Sequence, residues 1–351
     1  MGKIVYILGA GFSAPAAIPP QNKLMEKCFE YDDFLKKVKP LYKEFYLFTS
    51  AKLTKPALSK IPLEDVFSLL DKSIKSAHKY RGFEVSRFIE MHRLFVSRIS
   101  KVLSDIGTSS YIDDFVTKIA VKRKSLGQTA DQISILSMNW DDLLDKSINL
   151  YENNIDSDCS VDYCMYDYSF ENSPGYIPSI FRKKSGKHNL KLIKLHGSIN
   201  WNICHSCHKV FVSQERVSKE TAGESYKCSS CEVELEHFMV TPTFMKEFQA
   251  NHIKNIWHNA FIDLSEATHI VFIGYSFRPE DFEFKILLSR ALKAKTPPKI
   301  TVIDYNAQNR SKEYKHLKER YTAFFGANIE FYPKGIVKYI EEKMDGHLNV
   351  F

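Results

Sequence analysis

The residues best suited to chemistry stand in short clusters, each at the end of an apolar run. Gly9-Ala10-Gly11-Phe12-Ser13-Ala14 follows Lys3-Ile4-Val5-Tyr6-Ile7-Leu8. A β-branched run ending in Gly-x-Gly-x-x-Ala reads as a buried strand turning sharply into a helix, where small residues let the backbone approach a pyrophosphate. The N–H groups at the helix start favour the phosphate charge. The same motif, taken alone, also describes a tight turn that binds nothing. Asn139-Trp140-Asp141-Asp142 follows Ile133-Ser134-Ile135-Leu136-Ser137-Met138. One aspartate there could simply cap the next helix, whereas an amide and a carboxylate together at a strand end suit a ligand. His196-Gly197-Ser198 closes the run Leu190 to Leu195, and an imidazole so placed can take a proton near neutrality. A hydrogen-bonded structural role is the ordinary reading for most of the 12 histidines. Gly274-Tyr275-Ser276 follows His269 to Ile273, and Asp304 follows Lys299 to Ile303. An acid at such a position can accept hydrogen bonds from both hydroxyls of a ribose.

The cysteines carry the most specific signal. Cys204-His205-Ser206-Cys207 and Cys228-Ser229-Ser230-Cys231 are separated by 20 residues, the spacing of a four-cysteine zinc ribbon with a closed, structural tetrahedral site. His205 and His208 lie close enough to replace one cysteine. A ribbon can touch nucleic acid, but stabilising a small module without its own core is the commoner role.

These clusters require strands that deliver them to one edge. Five runs with strand patterning, alternating with helical segments, predict an α/β fold with a Rossmann-like, doubly wound parallel sheet. Residues 1–22, 130–203 and 239–345 would form the dinucleotide-binding core and 204–238 the zinc ribbon. Residues 23–129 show helical spacing, as in Val66, Leu69, Leu70 and Ile74, and would form a helical insertion. The aromatics of that insertion (Phe29, Phe34, Tyr42, Phe45, Tyr46, Phe48) read as packing residues, and Lys36, Lys37 and Lys39 as a solvated face. Ala14 to Pro20 reads as a loop beside the nucleotide site.

A chain of 351 residues with 44% hydrophobic and 26% charged residues is an ordinary globular composition. No apolar stretch reaches membrane-spanning length, and the N-terminal run lacks a charged leader and a cleavage site, which places the chain in the cytoplasm. A net charge of +7 permits an anionic ligand without demanding one.

Taken in order, Gly9-Ala10-Gly11-Phe12-Ser13, Asn139-Trp140-Asp141, Leu195-His196-Gly197, the two Cys-x-x-Cys pairs, Gly274-Tyr275-Ser276 and Ile303-Asp304 resemble the sirtuin family. Asn139-Trp140-Asp141-Asp142-Leu143-Leu144-Asp145 and the segment from Gly274 to Asp281 look most like its bacterial antiphage-defence branch, known for NAD+ hydrolysis. The resemblance implies NAD+ as substrate and a structural Zn2+ on Cys204, Cys207, Cys228 and Cys231. It further implies Asn139, His196 and Asp141 as catalytic residues, and Gly9, Ala10, Gly11, Phe12, Ser13, Gly274, Tyr275, Ser276 and Asp304 around the dinucleotide. By analogy with that branch, a homo-oligomer and a partner such as a HerA-type ATPase or another sensor protein are expected, with the helical insertion as the contact surface.

The departures from the deacylases point the same way. Where deacylases carry Asp-Phe-Arg after Ile-Pro, this chain has Pro20-Gln21-Asn22, and Met239-Val240-Thr241-Pro242-Thr243-Phe244 replaces the Phe-Gly-Glu strand. No acidic residue ends a second strand about twenty positions after the glycines, so an ordinary dehydrogenase is not expected. Two rivals are an NAD-dependent protein deacylase and a nucleic-acid-binding or nucleolytic subunit, the latter suggested by the ribbon and by Arg182, Lys183, Lys184, Lys187, Lys191 and Lys194.

Overall fold

The computed structural model describes residues 2–45, 60–77, 82–127, 131–165, 168–170, 188–213, 227–243, 251–279, 281–292, 296–305 and 312–349, leaving aside the side chains of 41–45 and 168–170. Arg182, Lys183, Lys184, Lys187, Tyr46, Phe48 and Phe244 lie outside the described residues, as do the side chains of Tyr42 and Phe45.

Seven strands, numbered here in chain order, form a wholly parallel sheet: β1 (Ile4–Leu8), β2 (Ile133–Ser137), β3 (Val161–Asp162), β5 (Leu190–Lys194), β9 (His269–Ile273), β10 (Lys299–Ile303) and β11 (Ile329–Tyr332). Their order is β11-β10-β9-β1-β2-β5-β3. From β1 the chain builds outward on one side through β2, then crosses to β9 on the other, so the winding reverses at β1. A crevice opens at such a reversal, beyond the carboxyl ends of the strands. Every residue of β1, β2 and β9 is buried. Helices covering both faces explain why these strands read as apolar runs without alternation. Leu8 pairs with both Ser137 and Ile273, so Gly9, Met138 and Gly274 leave the sheet at one level.

The remaining strands, β4 (Tyr168–Phe170), β6 (Gly197–Ile203), β7 (Val210–Val212) and β8 (Glu236–Met239), form a second sheet in the order β4-β7-β6-β8. The division placed at residue 203 by the sequence falls at the end of β6, which is antiparallel to both β7 and β8 and not part of the parallel sheet. The two sheets are therefore joined directly at Leu195-His196, between β5 and β6.

Among the described residues from 21 to 125 the regular elements are helices, but they serve two places. Helix Ser110–Ser125 packs on the parallel sheet, with Phe115 edge-on to Tyr6 at 5.4 Å and to Phe12 at 5.3 Å. Helices Gln21–Cys28, Asp32–Phe45, Leu63–Ser76 and Val85–Ser104 pack on one another, and Val85–Ser104 also lies against β6 and β8. Phe34 and Phe95 meet edge-on at 5.0 Å, and Phe29 and Phe34 are buried, so these aromatics are core as expected. Lys36, Lys37 and Lys39 are exposed. The Ala14–Pro20 stretch contains one 3-10 turn, Ala14–Ala16, before Gln21 starts the next helix. Among the described residues, no helix is long and apolar enough to cross a membrane.

Candidate functional site

The first βα turn is held by backbone as much as by side chains. The Gly9 amide donates to the Ile273 carbonyl at 3.0 Å, and the Gly11 amide to the Gly274 carbonyl at 2.8 Å. Those two amides are thus spent inside the protein, and the expectation that the N–H groups at this helix start lie open to a phosphate does not hold for Gly11. The glycines instead permit two strand-end turns to interlock. A Cβ on Gly9 would lie 2.6 Å from the Gly274 oxygen, one on Gly11 2.7 Å from the Gly274 Cα, and one on Gly274 2.3 Å from the Phe12 nitrogen. Gly274 also has φ +60, the left-handed region that suits glycine. Ala10 and Gly11 remain exposed.

Beside this turn lies the second cluster. Asn139 donates through Nδ2 to the Gly9 carbonyl at 2.9 Å and to Ser13 Oγ at 3.1 Å. Both amide hydrogens are thereby used, which leaves the Asn139 side-chain oxygen as the group that can accept from a ligand. Ser13 Oγ in turn donates to Asp141 Oδ2 at 2.9 Å. Asp141 is buried, and burial raises its pKa while the charge of Lys194 and the Ser13 hydrogen bond oppose that rise. His196 stands in the turn between β5 and β6, with Nδ1 3.3 Å from the Met138 carbonyl. A carbonyl only accepts, so Nδ1 carries the proton of that bond and the lone pair sits on Nε2. The Trp257 indole donates to the Leu195 carbonyl at 2.9 Å, and its ring lies 6.4 Å from that of His196. Gly197 (φ +72) has no room for a side chain, since a Cβ would lie 2.2 Å from the Phe238 oxygen.

Some predicted contacts are brought to the crevice and others are not. Phe12 and Tyr275 are buried. Phe12 packs on Phe115, and Tyr275 stacks on Phe272 and donates to Asp281 at 2.8 Å. Only their backbone belongs to the turns; their side chains belong to the core. Ser276 is half-buried, and its carbonyl accepts from Arg320 Nε at 2.9 Å. Asp304 closes β10 one strand further out, where Oδ1 accepts from the Tyr305 amide at 2.8 Å and burial raises the carboxyl pKa.

The four cysteine thiols converge, with their sulfurs all within 4.8 Å of one another. Cys207 and Cys228 Sγ are 3.7 Å apart, near the edge of about 3.8 Å that a tetrahedron with ~2.3 Å metal–sulfur bonds requires. Each pair ends in the same knuckle: His208 (φ 59) and Glu232 (φ 57) are left-handed. Their amides donate to the Cys204 and Cys228 carbonyls at 2.8 and 2.9 Å. The donor set fits one closed-shell metal ion in a structural role. The converged cluster contains four thiols and no histidine, and His205 lies 3.3 Å from Glu236 instead, so neither His205 nor His208 is needed as a ligand.

Lys194, read from the sequence only as part of a basic stretch, is instead buried beneath the site. Lys194 and Asp145 form an ion pair at 2.9 Å, their side chains 1% and 2% exposed. Its signal is a lysine inside an otherwise apolar parallel strand, where a charge survives only if it is paired.

The SIR2-like domain family model matches residues 133–324. This is more than half of the chain, which therefore belongs to the SIR2-like family; the parallel sheet with its small second sheet is the sirtuin-like Rossmann fold. Among solved structures, a Sir2–p53 peptide–NAD+ complex is similar over 98% of this chain and 93% of its own, at 14% identity and a TM-score of 0.43. A Sir2 histidine-to-alanine variant with deacetylated p53 peptide and 3′-O-acetyl ADP ribose covers 99% of this chain and 94% of its own, at 13% identity and a TM-score of 0.48. No curated protein matches the sequence.

Proposed function

We propose that the chain is an NAD+ hydrolase that cleaves the bond between nicotinamide and ribose, releasing nicotinamide and ADP-ribose, and that it serves as the effector of a bacterial antiphage defence system. The observation that carries this reading is the continuous hydrogen-bond chain Gly9–Asn139–Ser13–Asp141 at the sheet's winding reversal, with His196 anchored on the adjoining strand end. NAD+ would lie with its pyrophosphate beside Ala10 and Gly11, its nicotinamide ribose toward Asn139 and its adenosine ribose toward Ser276 and Asp304. Cleavage passes through an oxocarbenium-like state, which a positioned acceptor oxygen and an oriented water favour. Asn139 Oδ1 supplies that acceptor, and His196 Nε2 takes the proton of the attacking water. Asp141 orients Ser13, and through it Asn139, rather than touching the substrate. Zn2+ on Cys204, Cys207, Cys228 and Cys231 would hold the small sheet together and take no part in the reaction. Restraint of such an activity would come from a homo-oligomer or a HerA-type ATPase partner.

Incubating purified protein with NAD+ and measuring free nicotinamide tests the reading. Asn139→Ala and His196→Ala should each lower turnover by about 100-fold or more, as loss of a positioning or proton-accepting group does, with metal content unchanged and stability lowered only by about 0.5–1.5 kcal/mol per lost hydrogen bond. Wild-type turnover in either variant would exclude these roles. One observation favours deacylation as a second reading: β8 is an edge strand of the small sheet, where an extended peptide can add. Acetyl release from a lysine peptide in step with NAD+ loss would establish it.

A further inference from the structure

Lys194 sends its side chain into the junction between the two sheets, where three segments meet. Its ammonium donates to the Asp145 carboxylate at 2.9 Å, to the Asp141 backbone carbonyl at 2.7 Å and to Ser198 Oγ at 2.5 Å. An ammonium has three N–H donors, so every one is spent. Ser198 passes the link on, donating to the Trp140 carbonyl at 3.2 Å, and the Ile199 amide donates to that same carbonyl at 2.9 Å. Asp145 is satisfied in turn by the Tyr163 hydroxyl and by Asn200 Nδ2 at 3.3 Å. One buried charge thus grips the loop that carries Asn139 and Asp141, the helix Leu143–Asn154 that follows it, and the first turn of β6. Lys194 itself stands two residues before His196.

From this geometry we propose that Lys194, fixed by Asp145 and relayed by Ser198, is the positioning residue that sets the Asn139 loop against the His196 turn for NAD+ cleavage. The proposal rests on the NAD+-hydrolase reading for its consequence, but the clamp itself is a property of the fold. Asn139 is anchored to the Gly9 turn and His196 to the Met138 carbonyl, and they belong to loops from different strands. The two loops are tied beside the site by the bond from His196 to the Met138 carbonyl, and beneath it at the carbonyls of Trp140 and Asp141. A buried ion pair is weak support for stability, because two apolar residues of like size serve as well. What the pair supplies at this junction is three directed bonds, which no apolar pair makes.

The test separates positioning from mere stability. In Lys194→Met/Asp145→Leu no unpaired charge stays buried, so melting should recover relative to Lys194→Met alone. Turnover of NAD+ should nevertheless stay lower than wild type by about 100-fold, as small misplacements cost, while KM for NAD+ remains close to wild type. Hydrogen exchange of the Ile199 amide should speed up in this variant. Ser198→Ala, which keeps the ion pair and removes only the relay, provides the same readouts should the double variant not fold, and Lys194→Arg should restore part of the turnover. Wild-type turnover together with wild-type exchange at Ile199 in a folded variant would overturn the proposal. If the wild-type protein releases no nicotinamide, the hydrolase reading fails while the exchange measurement still decides the clamp: faster exchange supports it and unchanged exchange refutes it.

Discussion

The two ends of the parallel sheet carry lysine–carboxylate clusters of the same chemical kind, put to different uses. At the amino end Lys3 reaches Asp131 at 3.1 Å, Asp263 at 2.5 Å and Glu266 at 3.0 Å, and Lys191 shares Asp131 and Asp263 at 2.8 and 2.9 Å. Burial works against the Lys3 ammonium, yet Asp263 and Glu266 more than offset it and its pKa is raised. The three carboxylates are close enough to hold a cation, but the two ammonium groups already supply the charge. Asp131 and Glu266 reach solvent, so this cluster is redundant and partly wet. At the carboxyl end Lys194 and Asp145 are both dry and form a direct pair, with the Lys194 charge also felt by Asp141. The amino end fastens strands to the helix Asn251–Ser265; the carboxyl end fastens the loops that carry the candidate residues Asn139, Asp141 and His196. The same helix touches both, through Asp263 at one end and Trp257 and His252 at the other.

The largest effect expected to separate the two ends is loss of the metal ion proposed for Cys204, Cys207, Cys228 and Cys231. The knuckle carbonyl of His208 accepts from His252, and Trp257 on the same helix holds the Leu195 carbonyl beside His196. Ligation by four thiolates is worth on the order of 10 kcal/mol in peptides that fold only with metal. Cys228→Ser, or chelation, should therefore open residues 197–243 to proteolysis and loosen the His196 turn, while the amino-end cluster and the parallel sheet stay protected in hydrogen exchange. Uniform loss of protection across both ends would show that the small sheet is not a separable, metal-held unit.

Next in size is the contrast between two single substitutions. Lys194→Met strands the Asp145 carboxylate in a dry site and should cost about 3–5 kcal/mol. Lys3→Met leaves Lys191 to pair with Asp131 and Asp263, and should cost about 1–3 kcal/mol, the worth of hydrogen bonds to charged groups. Denaturant unfolding of both variants measures the difference. Equal costs would mean that redundancy and hydration at the amino end do not matter.

The chemistry-bearing strand ends were legible because a parallel sheet covered on both faces writes itself as apolar runs, and β1, β2, β5, β9 and β10 begin or end within one residue of theirs. The cysteine spacing was legible because tetrahedral ligation restricts it. Three features were not. The pairing of Lys194 with Asp145 joins residues 49 apart in sequence, and no local pattern encodes it. Gly-Ala-Gly announces close backbone approach without saying to what, and here the space that a Cβ on Gly9 or Gly11 would take is filled by the Gly274 turn. The segment Gly197 to Ile203 does carry a local signal, since Ser198-Ile199-Asn200-Trp201-Asn202-Ile203 alternates polar and apolar residues as a strand does; what the sequence hides is that the whole of it is buried in a separate sheet. Phe12 and Tyr275 were drawn toward the site by their neighbours, although a large apolar ring beside a turn is more often core.

The smallest separation of the two ends is one of pH. His269 begins β9 at the amino end, is 3% exposed, and lies 2.9 Å through Nε2 from Thr301 Oγ1. Its ring faces His347 at 4.7 Å, and Lys299 and Glu330 are the charged groups around it. Burial, then the charges of His347 and Lys299, lower its pKa to about 3. The folded value is below the unfolded one, so the unfolded chain binds more protons between the two. The stability contributed by the neutral imidazole is complete above about pH 6.5 and is lost as pH falls toward 3. Between pH 7 and 5 the loss should be about 2 kcal/mol, from 1.36 kcal/mol per pH unit below 6.5. His347, whose pKa burial also lowers, adds in the same direction. His269→Gln cannot charge, so its stability should fall less steeply over that range than that of the wild type. Amino-end hydrogen-exchange protection should follow the same order, with the Ile199 amide at the carboxyl end unaffected by the substitution. A pH slope that His269→Gln leaves unchanged would move the proton-binding site away from the amino end.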